Sequence, residues 1–93
     1  MANTEKGEWT QWQKVPEFEF TDIIYEKKYH KQLEGGVARI SINRHEKLNA
    51  FTAHTQDEMF KAFYDAGHDP TIGVAILTGA GDKAFCTGGD IEW

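Results

Sequence analysis

The spacing of apolar and polar positions picks out four ordered segments. Residues 21–29 (TDIIYEKKY) are rich in β-branched and aromatic types. Residues 37–42 (VARISI) set Ala38, Ile40 and Ile42 against Val37, Arg39 and Ser41, the two-residue period of a half-buried strand. Between them lies the polar stretch 30–36 (HKQLEGG), whose glycine pair predicts a hairpin with more than a two-residue loop. Met59, Phe60, Phe63 and Ala66 then recur at i, i+1, i+4 and i+7, which predicts an amphipathic helix with that stripe in the core. Thr52 or Thr55 is its expected N-cap, and Glu58 stands three residues after Thr55 as in a capping box. Asp57 adds charge early in the helix, while Gly67 and Pro70 mark its end. Residues 73–78 (GVAILT) form an apolar run without alternation, the pattern of a parallel strand covered on both faces.

Strand, strand, helix and buried strand, in that order, open a right-handed α/β crossover. Residues 1–93 offer one helix to cover that last strand, so the expectation is the N-terminal piece of a larger α/β protein. Residues 1–20 read as an aromatic N-terminal extension, with Trp9, Trp12, Phe18 and Phe20 among polar neighbours and Pro16 interrupting any helix. Aromatics that dense are expected to pack on the chain's own body or on a neighbouring subunit. A lid over a ligand is the competing reading.

Composition narrows the function classes. Ten Lys and Arg stand against 15 Asp and Glu, a formal charge of -5, which disfavours nucleic acid and anionic membranes as partners. The one cysteine, Cys86, rules out a disulfide framework within the chain and suits a reducing compartment. The first twenty residues lack the basic head and apolar core of a signal peptide. Residues 74–77, the longest apolar stretch, fall far short of the roughly 20 residues that span a bilayer. These features set the expectation of a soluble cytoplasmic protein.

Two glycine patterns follow the last strand. Gly79, Gly81 and Ala84 fit the spacing of a dinucleotide-binding loop. That motif needs a long helix starting inside it, and Gly88-Gly89 arrives before three helical turns are possible. The alternative is a second bend at Gly88-Gly89 with its backbone N–H groups free at the carboxyl end of the strand. Without a Cβ, such an amide can approach a ligand carbonyl closely and stabilise a developing oxyanion.

Residues 43–51 (NRHEKLNAF), followed by 77–81 (LTGAG) and 85–90 (FCTGGD), resemble the N-terminal third of the crotonase (enoyl-CoA hydratase/isomerase) superfamily. The resemblance covers residues 21–93, which it marks as an incomplete crotonase-like domain of the ββα spiral fold. Within the superfamily, the Gly-Gly-Asp form and the Ala-Phe-Cys-Thr lead-in at 84–87 resemble both the 1,4-dihydroxy-2-naphthoyl-CoA synthases and the ring-opening hydrolases of alicyclic oxoacyl-CoA esters, and the aromatic extension with residues 22–31 resembles the 6-oxocyclohex-1-ene-1-carbonyl-CoA hydrolases of benzoyl-CoA breakdown. The 1,4-dihydroxy-2-naphthoyl-CoA synthases and enoyl-CoA hydratases are the alternatives.

The resemblance implies an acyl-CoA thioester substrate, with coenzyme A carried as part of it and no separate cofactor or metal. It makes the Gly89 N–H an oxyanion donor, lines the CoA and acyl contact with Thr87, Gly88, Gly89, Asp90 and Ile91, and sets Leu48, Asn49 and Ala50 along the CoA channel. It implies a homo-oligomer, trimer or paired trimers. His45 departs from the proline usual in the family. The second oxyanion donor and the acid and base groups are expected beyond Trp93, so the 93-residue chain alone is expected to be inactive, at most a CoA-binding or interaction fragment.

Other side chains have plainer readings. Cys86 reads as a packed thiol and Asp90 as a helix cap. His30, His45, His54 and His68 lie on separate segments without metal-ligand spacing. Lys27, Lys28 and Lys31 read as a solvated strand end, with contact to a CoA phosphate as the alternative. Lys47 is read in the same way.

Overall fold

The computed structural model describes residues 8–44 and 49–81. They form five elements: strands β1 (Gln13–Lys14), β2 (Ile23–Tyr29) and β3 (Gly36–Ile42), helix α1 (Ala53–Gly67) and strand β4 (Ile72–Gly79). The sheet order is β1-β2-β3-β4. β1 and β3 flank β2 antiparallel, whereas β4 lies parallel to β3 after the crossover through α1. The mixed α/β architecture and the parallel placement of β4 are those expected from the sequence.

The hairpin between β2 and β3 depends on one close approach. A Cβ on Gly36 would lie 2.6 Å from Tyr29 Cδ1 and 2.8 Å from the Lys28 carbonyl oxygen, so only glycine fits opposite Tyr29. His30 Nδ1 accepts from the Gln32 and Leu33 N–H groups and gives the loop an internal partner. Pairing Ile23 with Ile42, Tyr25 with Ile40 and Lys27 with Ala38 then puts one alternating set of side chains under α1.

The core is Val15, Ile23, Tyr25, Ala38, Ile40, Ala62 and Ala66, with Phe18, Phe20, Met59 and Ile72 packed against it. Of the expected stripe, Ala66 and Met59 meet the core, whereas Phe60 and Phe63 do not. Thr55, Glu58, Ala62 and Ala66 face the sheet, while Phe60 is 68% exposed and Phe63 39%. The small Ala62 and Ala66 let the helix lie close to Ile40 and Tyr25, and two bulky phenylalanines on that face would hold it away. β4 also departs from expectation: Val74 is 57% exposed and Ile76 and Leu77 are exposed as well. It is an edge strand of the described sheet, and α1, which packs over β2, β3 and β4 alike, leaves these side chains uncovered.

The N-terminal segment packs on the chain's own sheet. Thr10 and Val15 donate backbone N–H bonds to Tyr29 and Tyr25 of β2. Phe18 and Phe20 stack at 4.9 Å beside Tyr25. On the sheet face away from α1, the Arg39 guanidinium sits 4.1 Å from the Trp12 ring centroid and Lys28 Nζ 4.7 Å from it, cation–π contacts that cover the outer side of β2 and β3. Arg39 also bonds Glu26 at 2.7 Å.

Two polar clasps hold α1 to the sheet. At its start, Thr52 is the N-cap and forms a reciprocal capping box with Thr55, so Glu58 is free of the capping role expected for it. Instead, Glu58, 4% exposed by its whole residue, accepts from the Thr21 and Asp22 N–H groups at 2.8 Å each. Thr55 Oγ1 donates to Asp22 Oδ2 at 2.6 Å. At the far end, Lys27 Nζ reaches Asp65 at 3.0 Å and Asp69 at 2.7 Å, and the Tyr25 hydroxyl donates to Asp65 at 2.6 Å.

Replacing Glu58 with Ala strands two backbone donors at the start of β2, which is expected to cost about 2–3 kcal/mol. Glu58→Gln keeps one carbonyl acceptor and should cost less. Urea unfolding curves of the two variants check the order, with an unchanged slope confirming that stability rather than compactness has moved.

Candidate functional site

β3 and β4 run parallel, so their carboxyl ends open at the same edge of the sheet, the place where ligands settle in open α/β folds. There Ile42 leads into Asn43 and Arg44, and Gly79 leads into Ala80 and Gly81. The two exits are joined directly. The Ala80 N–H donates to the Ile42 carbonyl at 2.7 Å, continuing the ladder one residue past β4.

Asn49 makes the second join. Its residue is completely buried, and its φ of 59° lies in the left-handed region that Asn tolerates better than most side chains. Its N–H donates to the Arg44 carbonyl at 2.7 Å, and its Oδ1 accepts from the Arg44 N–H at 2.8 Å. Its Nδ2 donates to the Ala80 carbonyl at 3.0 Å. Arg44 in turn bonds the Ala50 carbonyl through Nη1. The loop after β3 is thus closed on itself and fastened to the exit of β4.

Of the residues singled out from the sequence, Asn49 and Ala50 sit in this junction. Leu48, Thr87, Gly88, Gly89, Asp90 and Ile91 lie outside the described residues, as do His45, Lys47 and Cys86. Sequence reasoning set Asn49 along a channel and did not identify its ties to Arg44 and Ala80. The tie to Ala80 joins positions 31 residues apart, and a short amide side chain at a left-handed position was its only local signal.

The three lysines do not share a face. Lys27 points to the α1 side and its side chain is only 14% exposed, which corrects the solvated strand end, while Lys28 lies across Trp9 and Trp12 on the opposite side. Burial would lower the Lys27 pKa, but its bonds to Asp69 and Asp65 outweigh that and hold it above the ordinary lysine range. Burial and the bond to Asp65 push the Tyr25 phenol up. Lys27, with Thr71 donating as well, holds Asp69 down at about 2. A fixed ammonium, a neutral phenol and a fixed carboxylate cannot exchange protons near neutral pH, so this cluster is a brace and not an acid–base site.

Asp22, His54 and Glu58 bring ligand-type atoms within 4.8 Å of one another. Both Glu58 oxygens, however, already accept backbone N–H groups, and Asp22 accepts from Thr55. This group too is explained by holding the helix. Outside α1, an open cleft of about 310 Å³ is lined by Phe18, Phe60, Lys61, Tyr64, Asp65 and His68.

No helix among the described residues is long and apolar enough to cross a membrane. Residues 32–93 match the family model described as enoyl-CoA hydratase/isomerase. Solved structures similar to the chain include a carnitinyl-CoA dehydratase from Mycobacterium avium 104, at 36% identity and a TM-score of 0.65, covering 77% of this chain and 26% of that one. An enoyl-CoA hydratase/isomerase from Xanthobacter autotrophicus Py2 matches at 34% identity and a TM-score of 0.66, covering 80% and 25%. An enoyl-CoA hydratase from Mycobacterium tuberculosis H37Rv matches at 35% and 0.63, covering 77% and 29%. The chain spans about a quarter of the length of these proteins.

The Asp69 carboxylate is favoured by the native state. Its contribution is complete above the ordinary value near 3.8 and is lost as pH falls through about 2. Asp69→Asn should therefore lower stability at pH 7 and flatten the stability profile between those limits. Tyr25 and Lys27 are both raised, so the native state binds their protons more tightly and stability should also fall above about pH 10. Urea midpoints measured across pH for both proteins check both limbs.

Proposed function

Because the chain belongs to the enoyl-CoA hydratase/isomerase family, we propose that the protein processes an acyl-CoA thioester by stabilising its enolate. The observation that carries this reading is the junction at the carboxyl ends of β3 and β4. It fastens the loop holding Leu48, Asn49 and Ala50 to Ala80, from which the chain leads on to Gly88-Gly89. In the proposed site the Gly89 N–H donates to the thioester carbonyl oxygen as that oxygen gains charge, a bond that strengthens towards the transition state. Thr87, Gly88, Asp90 and Ile91 line the acyl and CoA contact. Proton transfer needs acid and base groups, which on this reading, like the second donor, are not among residues 1–93.

The proposed substrate is 6-oxocyclohex-1-ene-1-carbonyl-CoA, which the likeness of residues 22–31 and the Gly-Gly-Asp bend to the ring-opening hydrolases supports. One water adds across the conjugated double bond. A second attacks the ring ketone, the bond between that carbon and the thioester α-carbon breaks, and its electron pair enters the thioester as the enolate. Protonation gives an open-chain dicarboxylic mono-CoA ester. Simple hydration of a 2-enoyl-CoA is the second reading, favoured by the likeness to an enoyl-CoA hydratase. Cytoplasmic location and assembly as a trimer or paired trimers belong to the same proposal.

Incubating the protein at its full natural length with the ring enone and with crotonyl-CoA, followed by mass spectrometry, separates the readings. Gain of two waters on the ring substrate supports ring opening. Gain of one water on crotonyl-CoA alone leaves hydration, and no change in either thioester overturns both. Gly89→Pro, which removes the N–H, should lower kcat by about 10²–10³-fold with CoA affinity retained. Gly89→Ala keeps the N–H and should retain most turnover.

A further inference from the structure

Asn49 is the one described residue that touches both exits at the carboxyl edge. Its side chain has no solvent exposure, and both ends of its amide are spent on backbone, Oδ1 on the Arg44 N–H and Nδ2 on the Ala80 carbonyl. The Ala80 residue is thereby held from two sides, since its N–H is bonded to Ile42 and its C=O to Asn49. It lies one residue past β4, and Gly89 follows nine residues later in the chain.

We infer that Asn49 is a positioning residue that locks the loop after β3 to the exit of β4, so that the CoA-channel loop and the oxyanion loop keep one relative placement. The inference rests on the acyl-CoA reading above and deepens it. The Asn49 side chain acts through the Ala80 carbonyl. The position needs an acceptor towards Arg44 and a donor towards Ala80 on one short side chain, which an amide supplies at every pH and a carboxyl only when protonated. A site whose electrophilic group is a backbone N–H has no side chain to adjust its aim, so a small drift of the loop is read directly as lost transition-state stabilisation.

Two variants separate the tether from the backbone. Asn49→Asp keeps the acceptor for Arg44 but, when ionised, turns a second oxygen towards the Ala80 carbonyl. Asn49→Gly tolerates the φ of 59° and drops both side-chain bonds. The protein at its full natural length is used, with folding of each variant verified by near-UV circular dichroism. The readouts are the red shift of a bound conjugated thioester, 2,4-hexadienoyl-CoA, which reports polarisation of its carbonyl, and kcat and KM with whichever thioester the wild type turns over.

The expected result is a smaller red shift in both variants. kcat per folded protein should fall about 10–100-fold, in the range that misplacement near 1 Å produces, with KM within about twofold. In Asn49→Asp, kcat and red shift should recover as pH falls and the buried carboxyl gains a proton, because the protonated acid donates to Ala80 again. A merely structural role would lower the folded fraction and leave shift and kcat per folded protein unchanged, and that result overturns the inference. So does an Asn49→Gly protein equal to wild type. If wild type itself neither binds nor polarises the thioester, the acyl-CoA reading falls first and takes this inference with it.

Discussion

The arrangement depends on one buried carboxylate. Glu58 projects from the middle of a helix into the sheet side, where an ionised group is costly unless its lone pairs are filled. Thr21 and Asp22 fill them with two backbone N–H groups at 2.8 Å. Those N–H groups lie just ahead of β2, where no strand partner takes them. Each side thus needs the other, and the bond fixes the start of α1 over the start of β2 far more narrowly than packing of Ala62 and Ala66 alone could. With α1 fixed there, its exit at His68 returns the chain to lay β4 beside β3.

The far end of the helix is held by charges of opposite sense. Lys27 is drawn between Asp65 and Asp69, under the Tyr25 hydroxyl bond to Asp65. A carboxylate at one end and an ammonium at the other make the helix docking asymmetric, so it cannot slide along the sheet without parting a buried charge from its partners. The aromatic segment from Trp9 to Phe20 acts differently. It supplies surface, with Val15, Phe18 and Phe20 on the helix side and Trp12 on the other, and covers a sheet that has a single helix among its described residues.

Alternation made β3 legible, because a half-buried strand exposes its period in the chain itself, while β-branched and aromatic content marked β2 and the glycine pair marked their hairpin. The helix was legible in extent but not in orientation. Hydrophobicity points Phe60 and Phe63 inwards, yet the sheet selects by size, and Ala62 and Ala66 beside Thr55 and Glu58 win the contact. A polar face turned inwards cannot be read from a helix alone, since its compensation sits 36 and 37 residues away at Asp22 and Thr21. β4 was placed correctly as a parallel strand, but its apolar run reports the cover it requires, which the described residues do not supply. The glycine bend carried the family likeness while lying outside the described residues, so the candidate site was legible in motif and only its supporting edge in geometry.

That supporting edge shows why side-chain patterns say little about this kind of site. A donor that belongs to the backbone can be supplied by several residue types, and what must be preserved is where the peptide group lies. The residues that preserve it need not contact a ligand or carry charge. Asn49 has the marks of such a residue: it is fully buried, left-handed and bonded to the backbone of both Arg44 and Ala80. The Ile42–Ala80 bond by itself continues a two-strand ladder through the peptide before the Ala80 Cα. Asn49 Nδ2 adds a bond to the carbonyl of the peptide after it. Two bonds on one residue from two different segments therefore hold Ala80 from both sides, where the strand ladder alone holds it from one.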